Sequence, residues 1–375
     1  MGKIIAAGHI ALDITPVFPE QKVEKVSDIM IPGKLLQMNG VKVHTGGSVA
    51  NSGIAMKILG ADVTLMGKIG EDAFGGMIQN ILEEYGLKEG ILVSEKEATS
   101  YTVAVAIPGI DRIFLHDPGA NDTFGADDVD YKKVEEAALF HFGYPPIMKK
   151  MYQNNGQELV EMFRRIKELN TATSLDLAAV DEKSEAAKAD WEDILCRTLP
   201  YIDFFVPSVE ELCYMSDKKR YEEWSVRAAG KDMTEVLTPE DVKPLAEKAI
   251  SMGAKAVLVK CGALGMYYKT AERERMEPLC ESLGLSVDEW AGKEGFENSF
   301  VPEKILSATG AGDTSIAAFL VSMLRGYGIE EAVQMALATG ACCLSGYDAL
   351  SGLKPLSELK EKIEKGWARN NFAGE

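Results

Sequence analysis

The sequence predicts an α/β fold, a largely parallel sheet wrapped by helices, and three observations predict it. Short apolar runs bounded by turns alternate with longer helical patterns along most of the 375 residues. Two stretches break that rhythm with β-like pieces and no strong helix, which suits a small extra sheet beside the core. Hydrophobic residues make up 46% of the chain, enough to bury a sizeable interior.

Taken in order, Lys3 to Gly8 reads as the first strand. This apolar segment is short and meets Asp13 and Pro16 at once, which argues against a signal peptide. Ser48 to Leu59 is an expected helix closed by Gly60, Val63 to Gly67 a strand, and Ala73 to Tyr85 a helix closed by Gly86. Strands are expected at Ala138 to Phe142, Thr173 to Leu177, Phe204 to Pro207 and Ala256 to Val259. Helices are expected over Gly156 to Leu169, Lys183 to Leu199 and Pro239 to Met252. The last has a readable start: Thr238 caps, Pro239 suits the first helical position, and Asp241 completes the box.

The two irregular stretches are about 14–45 and 99–116. The second reads as a hairpin, Tyr101 to Ile107 and Arg112 to His116 flanking Pro108-Gly109-Ile110-Asp111. Together they are expected to form a β lid over a site, with an exposed face that can pair with a second copy as a homodimer. The runs Asp217 to Leu237 and Thr270 to Lys304 read as insertions in a single domain spanning 1–375. Within the second, Ser286-Val287-Asp288-Glu289 is a capping pattern that opens a short helix.

The formal net charge of −18 repels phosphate backbones and anionic lipid, so nucleic acid and membrane are excluded as expected partners. No window offers the ~20 consecutive apolar residues of a membrane span. The six cysteines form no C-x-x-C pair and read as free thiols of a reducing cytosol, hence a cytoplasmic protein. The four histidines are scattered and support no His/Cys metal site.

The strongest chemical signal is Thr309-Gly310-Ala311-Gly312-Asp313-Thr314, running straight into an apolar helix. Small residues at a helix N-terminus expose consecutive backbone N–H groups, a setting that suits an anion. Phosphoryl transfer needs positioning, charge stabilisation and a base for the hydroxyl proton, and Asp313 stands at the mouth of that turn. Taken alone, the motif is equally a glycine-rich turn with Asp313 as a plain cap. Upstream, Gly46-Gly47-Ser48-Val49-Ala50-Asn51 opens another helix, where paired glycines allow close approach and Asn51 can bond a hydroxyl. Asp13 follows the first strand, where ligand-binding groups of open parallel sheets collect.

With Gly67-Lys68-Ile69-Gly70-Glu71-Asp72-x-x-Gly75 between them, these motifs resemble, in order and separation, the ribokinase-like (PfkB) carbohydrate kinase family. The likeness spans nearly the whole chain, and Gly119-Ala120-Asn121, Ser174-Leu175-Asp176 and Val259 through Gly265 sit where members carry similar segments. It implies a three-layer α/β/α sandwich with a β-sheet lid, ATP and Mg2+ as cofactors, and transfer of the γ-phosphoryl group to an alcohol. By motif position Asp313 would be the base, with the amides of Gly310, Ala311 and Gly312 as anion hole. Asp13, Gly46, Gly47 and Asn51 would hold the substrate. Ser208, Lys260, Gly262 and Gly265 would lie near the nucleotide, and Glu211 would act on the metal through water.

Three positions depart from the family pattern. Ser208 stands where Asn usually begins the metal-associated motif, and Ser307 where many members carry Asp near a monovalent-cation site, which leaves that cation undecided. Ser48 replaces the Lys of ribokinases themselves, and Gly-Gly-Ser-x-x-Asn also occurs in nucleoside kinases. The acceptor is therefore a sugar or sugar derivative, with a nucleoside as the alternative and a non-catalytic sugar-binding regulator as a second one. Phe18, Tyr101 and Phe114 are the lid rings expected to discriminate, since a base needs a stacking surface.

Overall fold

The computed structural model describes residues 2–20, 22–110 and 113–371. Its strands are β1 (Ile4–Gly8), β2 (Ala11–Pro16), β3 (Val41–Gly46), β4 (Val63–Gly70), β5 (Ile91–Ser94), β6 (Tyr101–Val105) and β7 (Ile113–Asp117). The remainder are β8 (Leu139–Gly143), β9 (Ala172–Leu175), β10 (Phe204–Phe205), β11 (Ala256–Lys260), β12 (Gly265–Thr270) and β13 (Glu294–Asn298). The main sheet runs β13-β12-β11-β10-β9-β8-β1-β4-β5. It is parallel from β11 to β5, while β11, β12 and β13 pair antiparallel at one edge.

A parallel sheet is covered on both faces, and β1 shows why. Side chains alternate along a strand, so Ile4 and Ala6 enter one apolar cluster and Ile5 and Ala7 the other. The helices Ser48–Ile58, Ala311–Leu324 and Ile329–Cys343 supply the first layer. The helices Lys149–Glu168, Trp191–Thr198, Val209–Ser216 and Pro239–Met252 supply the second. Ala311–Leu324 is buried around its whole circumference, every residue from Asp313 to Met323 included, and from Ile316 to Met323 only Ser322 is polar.

The second sheet has the order β3-β2-β6-β7. It starts at Ala11, earlier than the sequence suggested, because the chain turns at Gly8 (φ +125°) and re-enters extended backbone directly. Strands β6 and β7 pair antiparallel. Two residues of the expected hairpin, Asp111 and Arg112, lie outside the described residues. Phe18, Val105 and Ile107 give this sheet an apolar cluster of its own.

Most expected elements fall within a residue or two of their observed bounds; β4 runs three residues past the expected Gly67, and three other stretches differ. The helical pattern from Gly156 starts at Lys149 instead, with non-helical backbone from Gln153 to Gly156. The run Lys183 to Leu199 is broken, because Asp190 caps a new helix by accepting from Asp193 N. Ser286 precedes the short helix Val287–Trp290 without a side-chain cap bond. The stretch 270–304 contributes β13 to the main sheet, and 217–237 carries the helix Lys218–Ala228. No described helix is long and apolar enough to cross a membrane.

Candidate active site

Two clefts meet near the carboxyl ends of the parallel strands. The smaller, about 440 Å3, lies against the lid sheet and is lined by Asp13, His44, Thr45, Asn51, Thr102 and Thr309. Its lining also includes the rings of Tyr85, Phe114 and Tyr347. The larger, about 790 Å3, is lined by Tyr144, Asp176, Ser208, Glu211, Lys260, Gly262, Gly265 and the Gly310–Asp313 turn. Apolar side chains of Met266, Phe300, Ile305, Leu337 and Leu344 line it as well.

Asp313 joins the two. Its side chain is 3% exposed. Asn51 Nδ2 donates to Asp313 Oδ2 at 2.9 Å, so a residue lining the smaller cleft holds a carboxylate lining the larger. Tyr144 OH reaches both oxygens, at 3.0 Å to Oδ1 and 2.9 Å to Oδ2. Burial pushes the Asp313 carboxyl above its ordinary range. The Asn51 bond, the Lys260 ammonium and the Tyr144 bond oppose that rise, while Glu211 adds to it.

Tyr144 was missed in the sequence, where its one signal is its place just after β8, at the carboxyl end of a core strand. It is held at φ 72°, ψ 40°, a left-handed conformation that costs a bulky residue roughly 1–3 kcal/mol. That geometry aims the phenol at Asp313.

The turn that leads into the helix Ala311–Leu324 depends on glycine. Gly310 caps the helix at φ 76°, and a Cβ there would sit 2.3 Å from Ala349 Cβ, so glycine is required twice over. The first helical bond is Thr314 N to Gly310 O. Ala311 N donates to Ala308 O at 3.4 Å, Gly312 N and Asp313 N have no intrahelical acceptor, and all three residues line the larger cleft.

Beside the turn, Lys260 Nζ donates to Asp176 Oδ1 at 2.6 Å. Burial counts against the Lys260 charge, but Asp176, Glu211 and Asp313 outweigh it and hold the ammonium pKa up. Ser208 and Glu211 form a capping box: Ser208 Oγ accepts from Glu211 N at 3.2 Å, and Glu211 Oε2 accepts from Ser208 N at 2.8 Å. Glu211 thus has one oxygen committed to the fold and one left for the cleft.

On the other side, Asp13 sits within lid strand β2, paired with His44 of β3 and Thr102 of β6. Gly46 leaves the room its carboxylate occupies, since a Cβ there would lie 2.2 Å from Asp13 Oδ2. Burial pushes Asp13 up to about 6, with the Thr102 hydroxyl opposing and the Asp313 charge adding.

Two of the motifs act through the fold. Asn121 spans the turn between β1 and β2, accepting from Ile10 N at 3.0 Å and donating to Ile10 O at 2.9 Å, which places the strand that carries Asp13. Asp72 caps the helix Ala73–Glu84 through Gly75 N at 2.8 Å and also accepts from Thr99 N at 2.7 Å. That carboxylate ties the entry of β6 to the core.

Residues 6–354 match the pfkB family of carbohydrate kinases. The chain belongs to that family. It is 26% identical over 296 residues to a sugar kinase of Archaeoglobus fulgidus, covering 79% of this chain and 96% of the relative. Its fold is that of an Arabidopsis thaliana ribokinase solved with ribose and ATP, at a TM-score of 0.70, 19% identity and coverage of 97% and 99%. A structure from E. coli solved with ATP and Mg2+ also matches at a TM-score of 0.70, 20% identical and covering 97% and 100%. The protein is therefore a carbohydrate kinase with the ribokinase-like fold.

Proposed function

We propose that this kinase transfers the γ-phosphoryl group of ATP to a hydroxyl of a sugar or sugar derivative, with Asp313 as general base. The observation that carries this reading is the position of Asp313, bonded to a wall of one cleft and lining the other. The larger cleft fits a nucleotide: it is roomy, apolar along one part, and polar where Lys260 and the Gly310-Ala311-Gly312 amides converge. Glu211 would hold Mg2+ through water, as hard divalent cations in such sites keep several waters beside one or two carboxylates. When bound, ATP supplies the phosphoryl group and Mg2+ offsets its charge.

The chain's own groups do the rest. Asp13, Asn51 and the backbone at Gly46 and Gly47 hold acceptor hydroxyls. Asp313 takes the proton of the hydroxyl that reacts, and burial raises its affinity for that proton. The amides of Gly310, Ala311 and Gly312 offset negative charge as it develops, a contribution of about 2.7–4 kcal/mol per donor in comparable sites.

A nucleoside acceptor has one observation in its favour. Phe114 lines the smaller cleft with Tyr85 and Tyr347, although Phe18 is buried inside the lid and Tyr101 packs on Phe74. A screen of ATP consumption over free sugars, sugar acids, sugar phosphates and nucleosides separates the two. One sugar group is the expected hit; turnover of nucleosides alone would replace it.

Asp13 makes the acceptor's affinity depend on pH. It accepts hydroxyl protons when ionised, so acceptor KM is expected to rise about tenfold between about pH 7 and about pH 5. The stability sign runs the other way. A folded-state pKa raised to about 6 favours the fold at low pH, and that contribution is lost as pH rises through 6. Titration of Asp13 therefore raises KM without itself destabilising the fold in acid. Asp13→Asn should abolish the slope, and a slope that survives the substitution would assign it elsewhere.

A further inference from the structure

Residues 367–370 return to the larger cleft and are bound to its rim. Asn370 N donates to Ser299 O at 2.8 Å and Val301 N to Ala368 O at 2.9 Å, with an antiparallel bridge between Phe300 and Arg369. Trp367 stacks on Phe300 at 4.8 Å and donates through Nε1 to Val301 O at 2.8 Å. Arg369 lies over Phe300 at 4.6 Å and pairs with Glu297 of β13. Phe300 is an apolar wall of the cleft, so this segment braces that wall from behind.

The segment also places one polar group in the cleft. Asn370 lines it, and Asn370 Nδ2 donates to Ser299 Oγ at 2.8 Å and to Ala263 O at 3.4 Å. A backbone carbonyl can only accept, so the amide nitrogen must face the rim. Asn370 Oδ1 is then the atom left for a ligand, and among the described residues no donor is bonded to it. It is an acceptor on the rim formed with Ser299 and Ala263, beside the apolar wall of Phe300.

We propose that residues 367–370 are a strap belonging to the nucleotide site and that Asn370 is a base-specificity residue, its Oδ1 accepting from the exocyclic amine of adenine. This rests on reading the larger cleft as the nucleotide site. A purine with a carbonyl at that position sets lone pair against lone pair, so the amide favours adenine over hypoxanthine or guanine. The strap is built from side chains that touch neither Asp313 nor the smaller cleft, so its effect falls on the base and not on the transfer step.

The test is equilibrium binding of ADP and IDP by calorimetry, with acceptor KM as a control. Wild-type protein is expected to bind ADP about tenfold more tightly than IDP, the scale of one net hydrogen bond. Asn370→Ala should bring that ratio close to one at an unchanged acceptor KM. Trp367→Ala should weaken both nucleotides by a similar factor and keep the ratio, because it removes the brace and not the acceptor atom. An Asn370→Ala protein that keeps the wild-type ratio overturns the base-reading role. A Trp367→Ala protein with both affinities unchanged overturns the strap. Wild-type protein that binds neither nucleotide overturns the assignment of the cleft itself, and the two failures are thereby distinguished.

Discussion

Asp313→Asn is expected to lower kcat by at least about 10²-fold, the low end for removal of a general base. The substitution preserves shape, so Asn51 and Tyr144 keep a carbonyl oxygen to donate to, while the group that receives the acceptor's proton is gone. Stability should move in the opposite direction to activity. Burial raises the folded-state pKa of Asp313, so the ionised carboxylate costs stability as pH climbs through that value, and a neutral amide does not. The variant should therefore be at least as stable as wild type near pH 8, by thermal melting, while binding ADP normally. Unchanged turnover would remove Asp313 from the base's role.

Lys260→Met should be the most damaging substitution for the fold around the site. Asp176 is buried, and its 2.6 Å partner is the Lys260 ammonium, whose side chain is 15% exposed. Removing one member of a buried pair costs about 3–5 kcal/mol, and the partial exposure of Lys260 places this case near the lower end. Asp176 would then face Glu211 and Asp313 with no local cation. Its pKa is already raised by burial and would rise further, so protonation relieves the variant at low pH. The destabilisation should thus be larger at pH 8 than at pH 5, measured by denaturant midpoint at both. A pH-independent loss would show that Asp176 is not the group left stranded.

Much of the fold was legible because hydrophobic period and turn residues are local signals. The helices Ser48–Ile58 and Pro239–Met252 carry their own starts and stops, and the observed bounds lie within a residue of the expected ones. Lys183 to Leu199 misled because its apolar spacing continues across Ala189–Asp190, where a cap interrupts the backbone and not the pattern. Strand β12 is not among the strands expected from the sequence and β13 falls inside an expected insertion, since an antiparallel edge is defined by its partner strand and not by its own period.

For the site, the sequence by itself determined which chemistry the chain carries. A run of small residues ending in Asp313 at a helix start, with Gly46-Gly47 and Asn51 far upstream, needs no partner to be recognised. Only the tertiary structure decided what holds that chemistry in place. Tyr144 reaches Asp313 across 169 positions of sequence and Asn51 across 262. Lys260 finds Asp176 across 84. A carboxylate's proton affinity depends on burial and on charges a few ångströms away, and those neighbours are brought together by packing alone.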